Sequence, residues 1–113
     1  MNDRRKELIK QYKERKIVGG IYRIMNTVNG RFYLNKTKDM QGAKNMFQSY
    51  YAMGMCAHPR LAKAWKEYGE EAFTFEVLEY WEKDAEQAEG EFEKDLAELY
   101  EIWDAKLPRE NRY

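Results

Sequence analysis

The sequence predicts one small α+β (α/β) domain: a three-stranded antiparallel sheet flanked by helices, with an extra helix at the N-terminus. Two runs rich in aliphatic and aromatic residues, 21–25 and 32–34, flank Asn29-Gly30, a dipeptide that readily takes the positive φ angles of tight turns, so 20–26 and 31–35 read as a β-hairpin. Residues 72–80 alternate, with Phe73, Phe75 and Val77 on one side and Thr74, Glu76 and Leu78 on the other, which is a third strand. Several stretches repeat their apolar residues at helical spacing, the longest over 84–106.

Residues 3–16 read as a helix with a narrow stripe of Leu8, Ile9 and Tyr12 among seven Lys and Arg, so 1–18 forms a basic N-terminal segment that Gly19 and Gly20 break off. In the hairpin, a two-residue turn at Asn29-Gly30 and a four-residue loop from Thr27 both pair residues whose numbers sum to an odd value. Side chains alternate along a strand, so Tyr22 and Tyr33 share a sheet face either way, and the longer loop makes them diagonal neighbours. Asp39 is a fitting N-cap for a helix to about residue 53, with Met40, Ala43, Met46 or Phe47, and Tyr50 inward and Gly54 closing it. A second helix begins near Pro59, turns Leu61, Ala64, Trp65 and Tyr68 inward, and ends at Gly69. In the last helix Ala85, Phe92, Leu96, Leu99 and Trp103 share one arc, and Pro108 follows its end.

With 113 residues, 43% hydrophobic and 15% aromatic, the chain suits one packed domain rather than a disordered segment. No apolar run approaches the ~20 residues of a membrane span, and the N-terminus lacks the apolar stretch of a secretory signal. A lone cysteine, Cys56, makes a reducing cytoplasm the expected compartment, and one His with one Cys excludes a zinc site of the usual spacing. The zero net charge conceals a division: 15 Lys and Arg against 4 Asp and Glu in 1–66, then 5 against 16 in 67–113. Such a division points either to an anionic partner for the basic half or to the two halves facing each other, within the fold or in a homodimer.

Gly20-Ile21-Tyr22, followed eleven residues after the tyrosine by Tyr33-Leu34-Asn35, resembles the motif pair of the GIY-YIG endonuclease family. The hairpin loop NTVNG, the run KTKDM and the segment HPRLAKAWKEYGEEAFTFEVLEY extend the likeness over about 19–107, making 19–113 a GIY-YIG-like domain similar to small bacterial single-domain members. The resemblance implies a three-stranded antiparallel sheet flanked by helices and metal-dependent hydrolysis of DNA phosphodiesters. In active members two tyrosines orient or activate water, a helix arginine holds phosphate, a glutamate on the last helix holds a divalent metal, and an asparagine supports the site.

Tyr22 and Tyr33 match the tyrosines. The arginine position, ten residues after the second tyrosine, is Ala43, with Lys44 adjacent but about 100° around the helix. Matched on Trp103, the metal glutamate is Tyr100; the asparagine has no counterpart, and Asn35 replaces the third-motif glycine. Such a degenerate site is expected to be impaired or inactive, with no cofactor, and with magnesium or manganese needed only if it cleaves. His58, whose unperturbed pKa near ~6.5 suits proton transfer, is a third candidate catalytic residue, as a general base. Arg23, Arg31, Lys36, Lys38 and Lys44, on or beside the hairpin, are the candidate DNA contacts. Two alternatives stand: an active endonuclease in a different register, and a protein-interaction module that pairs its basic and acidic surfaces.

Overall fold

The computed structural model describes residues 16–56 and 58–113; the helix expected over 3–16 lies outside them apart from Lys16. Three strands, β1 (Val18–Asn26), β2 (Phe32–Thr37) and β3 (Phe73–Glu82), form an antiparallel sheet in the order β2-β1-β3. Between β2 and β3 run α1 (Met40–Ala52), a single 3-10 turn (Pro59–Leu61) and α2 (Ala62–Tyr68); α3 (Glu89–Lys106) follows β3.

The hairpin uses the longer loop. Tyr22 stands opposite Asn35 and Ile24 opposite Tyr33, and the Asn26 amide donates to the Arg31 carbonyl at 2.8 Å, which leaves residues 27–30 as the turn. Gly30, at φ 75°, supplies the left-handed residue this turn needs. The central strand extends two residues earlier than expected, because Gly19 and Gly20 lie inside it rather than breaking the chain. A Cβ on Gly19 would stand 2.2 Å from the Thr37 carbonyl oxygen, and one on Gly20 2.0 Å from that of Glu79. Only glycine lets β1 approach both neighbours so closely.

Alternation along β1 divides the core. Tyr22, Ile24 and Phe73 meet Met40 and Phe47 of α1 and Ala64 and Trp65 of α2 on one face; Ile21, Phe32 and Leu34 meet Leu99 of α3 on the other. Phe47 is the inward residue of the Met46/Phe47 pair, with Met46 54% exposed. The Asp39 side chain caps α1 by accepting from the Gly42 amide at 3.0 Å, as its N-cap position implies.

The last helix starts at Glu89, five residues later than the periodicity suggested. Asp84 turns the chain first: its carboxylate accepts from the Glu86 amide at 3.0 Å and its carbonyl from the Gln87 amide at 3.1 Å. Short acidic side chains offer the backbone this local alternative to a helix. Among the described residues, no helix is long and apolar enough to cross a membrane.

Candidate functional site

The face of the sheet covered by α1 and α2 brings the two motif tyrosines together with His58. Tyr22 lies at the centre of β1, only 4% exposed, its ring stacked on Phe75 of β3 with centroids 4.7 Å apart. The cross-strand partner Asn35 donates its side-chain amide to the Tyr22 hydroxyl at 3.1 Å. That amide cannot be reversed, because the Asn35 carbonyl oxygen already accepts from the Lys36 backbone amide at 2.8 Å. Burial pushes the Tyr22 phenol pKa up, and the hydrogen bond from Asn35 opposes it. Tyr22 is therefore a neutral hydroxyl whose own proton remains to donate. Tyr33 stands half-buried on edge strand β2, on the same face.

His58 sits between α1 and α2, its ring centroid 4.9 Å from Tyr33 and 6.4 Å from Tyr22. Its carbonyl accepts from the Leu61 amide at 3.0 Å and the Cys56 thiol at 3.2 Å, which anchors the backbone under the ring. Partial burial lowers the imidazole pKa below 6.5, so the ring is neutral at pH 7 and able to accept a proton. Phe47, Tyr51, Trp65 and Phe73 form an aromatic floor behind Phe75, with Phe47 5.7 Å from Phe75 and Trp65 stacked 4.8 Å from Phe73. Tyr51 and Trp65 of the helices are thus core, not a ladder for bases, whereas Tyr68, expected to turn inward, is 39% exposed at the end of α2.

At the two positions where the family resemblance puts the arginine and the metal glutamate, the described residues bring no charge to the tyrosines. Ala43 packs against this cluster and brings no charge to it. Tyr100 packs on the opposite face with Ile21 and Leu34, its ring 5.2 Å from the Lys36 ammonium. Among the described residues no three His, Cys, Asp or Glu side chains converge. Two phenols, an imidazole and a carboxamide are a poor donor set for magnesium or manganese, which take oxygen ligands with carboxylates foremost. The tyrosine-side residues do not fit the divalent metal that the family resemblance implies.

The five candidate cations do not form one surface. Arg23 and Lys36 point to the α3 face, away from the tyrosines. The Arg23 guanidinium donates to Glu76 at 2.7 Å and lies 5.3 Å from the Phe32 ring. Lys38 binds Glu93 at 2.8 Å and Glu89 at 3.5 Å, both on α3. Lys44 is exposed on α1, and Arg31 leaves the hairpin turn to lie 4.7 Å over the Tyr113 ring.

Sequence reasoning missed the lock on the hairpin turn. Asn26, completely buried, donates to the Tyr113 hydroxyl at 2.9 Å and accepts from the Val28 amide at 3.0 Å. The Tyr113 amide in turn donates to the Phe32 carbonyl at 2.9 Å, and Arg112 binds Asp104 of α3 at 2.6 Å. The signal available was the pair Asn26 and Asn29, one before the turn and one within it, since such residues hydrogen-bond backbone two positions on. Nothing local named Tyr113 as the partner.

A sheet ordered β2-β1-β3, two helices over the tyrosine face and one long helix behind it, define the fold of the GIY-YIG catalytic domains. The chain matches the solved catalytic domain of the homing endonuclease I-TevI with a TM-score of 0.59 and 23% identity, over 84% of this chain and 95% of that one. It matches a mutant form of the same catalytic domain with a TM-score of 0.59 and 23% identity, over 86% and 92%. No family model and no curated protein matches the sequence.

Proposed function

We propose that this protein is a GIY-YIG family domain that has kept the nucleic-acid affinity of a nuclease and lost most or all of its cleavage. One observation carries the proposal: Tyr22, Tyr33 and His58 lie together on one sheet face, while the positions to which the family resemblance assigns the arginine and the metal glutamate are Ala43, beside them, and Tyr100, on the opposite face. Cleavage requires stabilisation of the charge on the phosphorane oxygens and of the leaving oxygen. Removing a single preorganised donor costs about 10²–10³-fold in comparable reactions, and two such groups are absent here. DNA is the proposed partner, in a cytoplasmic setting. Arg31 and Lys44 are the proposed phosphate contacts on the tyrosine side, and Lys36 serves where a strand passes the β2 edge. Arg23 and Lys38 already have carboxylate partners. Incubation with supercoiled plasmid and magnesium or manganese, beside a binding titration on the same DNA, is the test. Binding without nicking is expected; robust cleavage that Tyr22→Phe abolishes would overturn the proposal.

A second reading is favoured by His58 alone. A neutral imidazole in contact with the Tyr33 ring, centroids 4.9 Å apart, can accept a proton from a water at its exposed edge, a slow hydrolysis independent of added metal. Weak cleavage that persists in a chelator and disappears in His58→Ala would support it.

A further inference from the structure

The hairpin turn, α2 and the chain's last residues enclose a groove of about 350 Å³ with an unusual wall. Arg31, Arg60 and Lys63 line it against one carboxylate, Glu67. All three cations are exposed, and among the described residues none of them has a carboxylate within ion-pair distance. Arg31 donates to the Arg112 carbonyl at 2.9 Å, which orders its guanidinium over the Tyr113 ring without cancelling the charge.

The Tyr113 hydroxyl lies in the same wall and accepts twice, from Asn26 at 2.9 Å and Asn29 at 3.4 Å. Both carboxamides are fixed in that sense, because their oxygens accept from the Val28 and Arg31 backbone amides. The hydroxyl proton thus has no acceptor among the described residues and is left to donate. Beyond the cations stands Tyr68, 39% exposed. A ring at the end of a cationic groove is what binds unpaired nucleotides: the cations follow phosphate and the ring stacks a base, which a duplex would keep within its own stack.

We propose that this groove binds single-stranded nucleic acid, with Arg31, Arg60 and Lys63 on phosphates, the Tyr113 hydroxyl donating to a phosphate oxygen, and Tyr68 stacking a base. The inference rests on the nucleic-acid reading above and gives it a location and a strand state.

Fluorescence anisotropy of a labelled oligothymidylate, titrated from about 50 to 200 mM salt beside a duplex, tests it. Wild type should prefer the single strand. Each lost phosphate contact removes about 0.7 from the slope of log K against log salt, so Arg60→Ala with Lys63→Ala should lower it by about 1.4. Tyr68→Ala should weaken binding about tenfold with the slope unchanged, because stacking releases no counterions. Lys106→Ala, on α3 behind the sheet, should change nothing. The substituted side chains are exposed, so thermal midpoints should stay at the wild-type value. A wild-type slope retained in the double variant overturns the groove while leaving the nucleic-acid reading intact. Preference for duplex, insensitive to Tyr68→Ala, overturns the single-strand assignment. No binding by wild type to either form overturns both.

Discussion

Replacing Asn26 with alanine should destabilise the domain far more than its loop-side position suggests. The side chain is wholly buried at the end of β1, and both ends of its carboxamide are engaged, donating to Tyr113 at 2.9 Å and accepting from Val28 at 3.0 Å. Each net hydrogen bond contributes about 1 kcal/mol, and the void left by the carboxamide adds roughly 0.5–1 kcal/mol. The expected loss is therefore about 2–3 kcal/mol, or about 10 °C in Tm at ~4 °C per kcal/mol for a domain of this size. Urea unfolding followed by circular dichroism reads it directly. A double-mutant cycle with Tyr113→Phe should return a coupling of about 1 kcal/mol, because the two side chains share one bond. A loss below ~0.5 kcal/mol, or Asn26→Ala and Tyr113→Phe effects that simply add, would refute the account of the turn as locked by the C-terminal residues.

Gly20→Ala should abolish the folded domain, since its Cβ would meet the Glu79 carbonyl oxygen at 2.0 Å with the backbone at φ 147°; Gly30→Ala, with open space at φ 75°, should lose only about 1 kcal/mol. Soluble yield and unfolding midpoints distinguish the two, and equal effects would contradict the close approach of β1 and β3. For His58 the sign follows from its lowered pKa: the unfolded chain binds the proton more readily, so stability present above pH 6.5 is lost as pH falls through that value toward the folded pKa. Urea midpoints at neutral and mildly acidic pH should diverge in wild type and converge in His58→Gln; an unchanged divergence would remove His58 as its source. Trp103→Phe should lose about 1.5 kcal/mol, because the indole N–H donates to Glu79 at 2.8 Å in a partly buried setting; a neutral result would show that this bond exchanges freely with water.

The sheet was legible because its signals are local. Asn29-Gly30 marks a turn, and the odd pairing sum placed Tyr22 and Tyr33 on one face without choosing between loop lengths; the Asn26–Arg31 hydrogen bond makes the choice. Among the described residues, periodicity located the three α-helices but not the start of the last, where Asp84 organises a turn that a hydrophobic pattern does not register. Gly19 and Gly20 looked like punctuation and are instead the places where three strands crowd together, a tertiary demand that leaves no trace in propensity. The site divided along the same line. Tyr22 and Tyr33 followed from strand parity, whereas the meeting of His58 with them depends on how the segment between α1 and α2 folds back over the sheet. Cation density in the first half of the chain said nothing about pairing, and so could not foresee that Arg23 and Lys38 are neutralised by β3 and α3.

The lock on the hairpin also bears on how the domain folds. A hairpin closes quickly because its contacts are near in sequence, but the bonds that complete this one reach across 81, 84 and 87 positions. Closing so long a loop forfeits chain entropy before any bond rewards it, and contacts of that span slow folding. The turn should therefore form early in an unlocked state and acquire its rigidity only when α3 has docked and brought Arg112 and Tyr113 back to β2. The groove walls supplied by Arg31 and Tyr113 depend on that same docking, so the surface proposed to hold a strand is tied to the longest-range contacts of the hairpin.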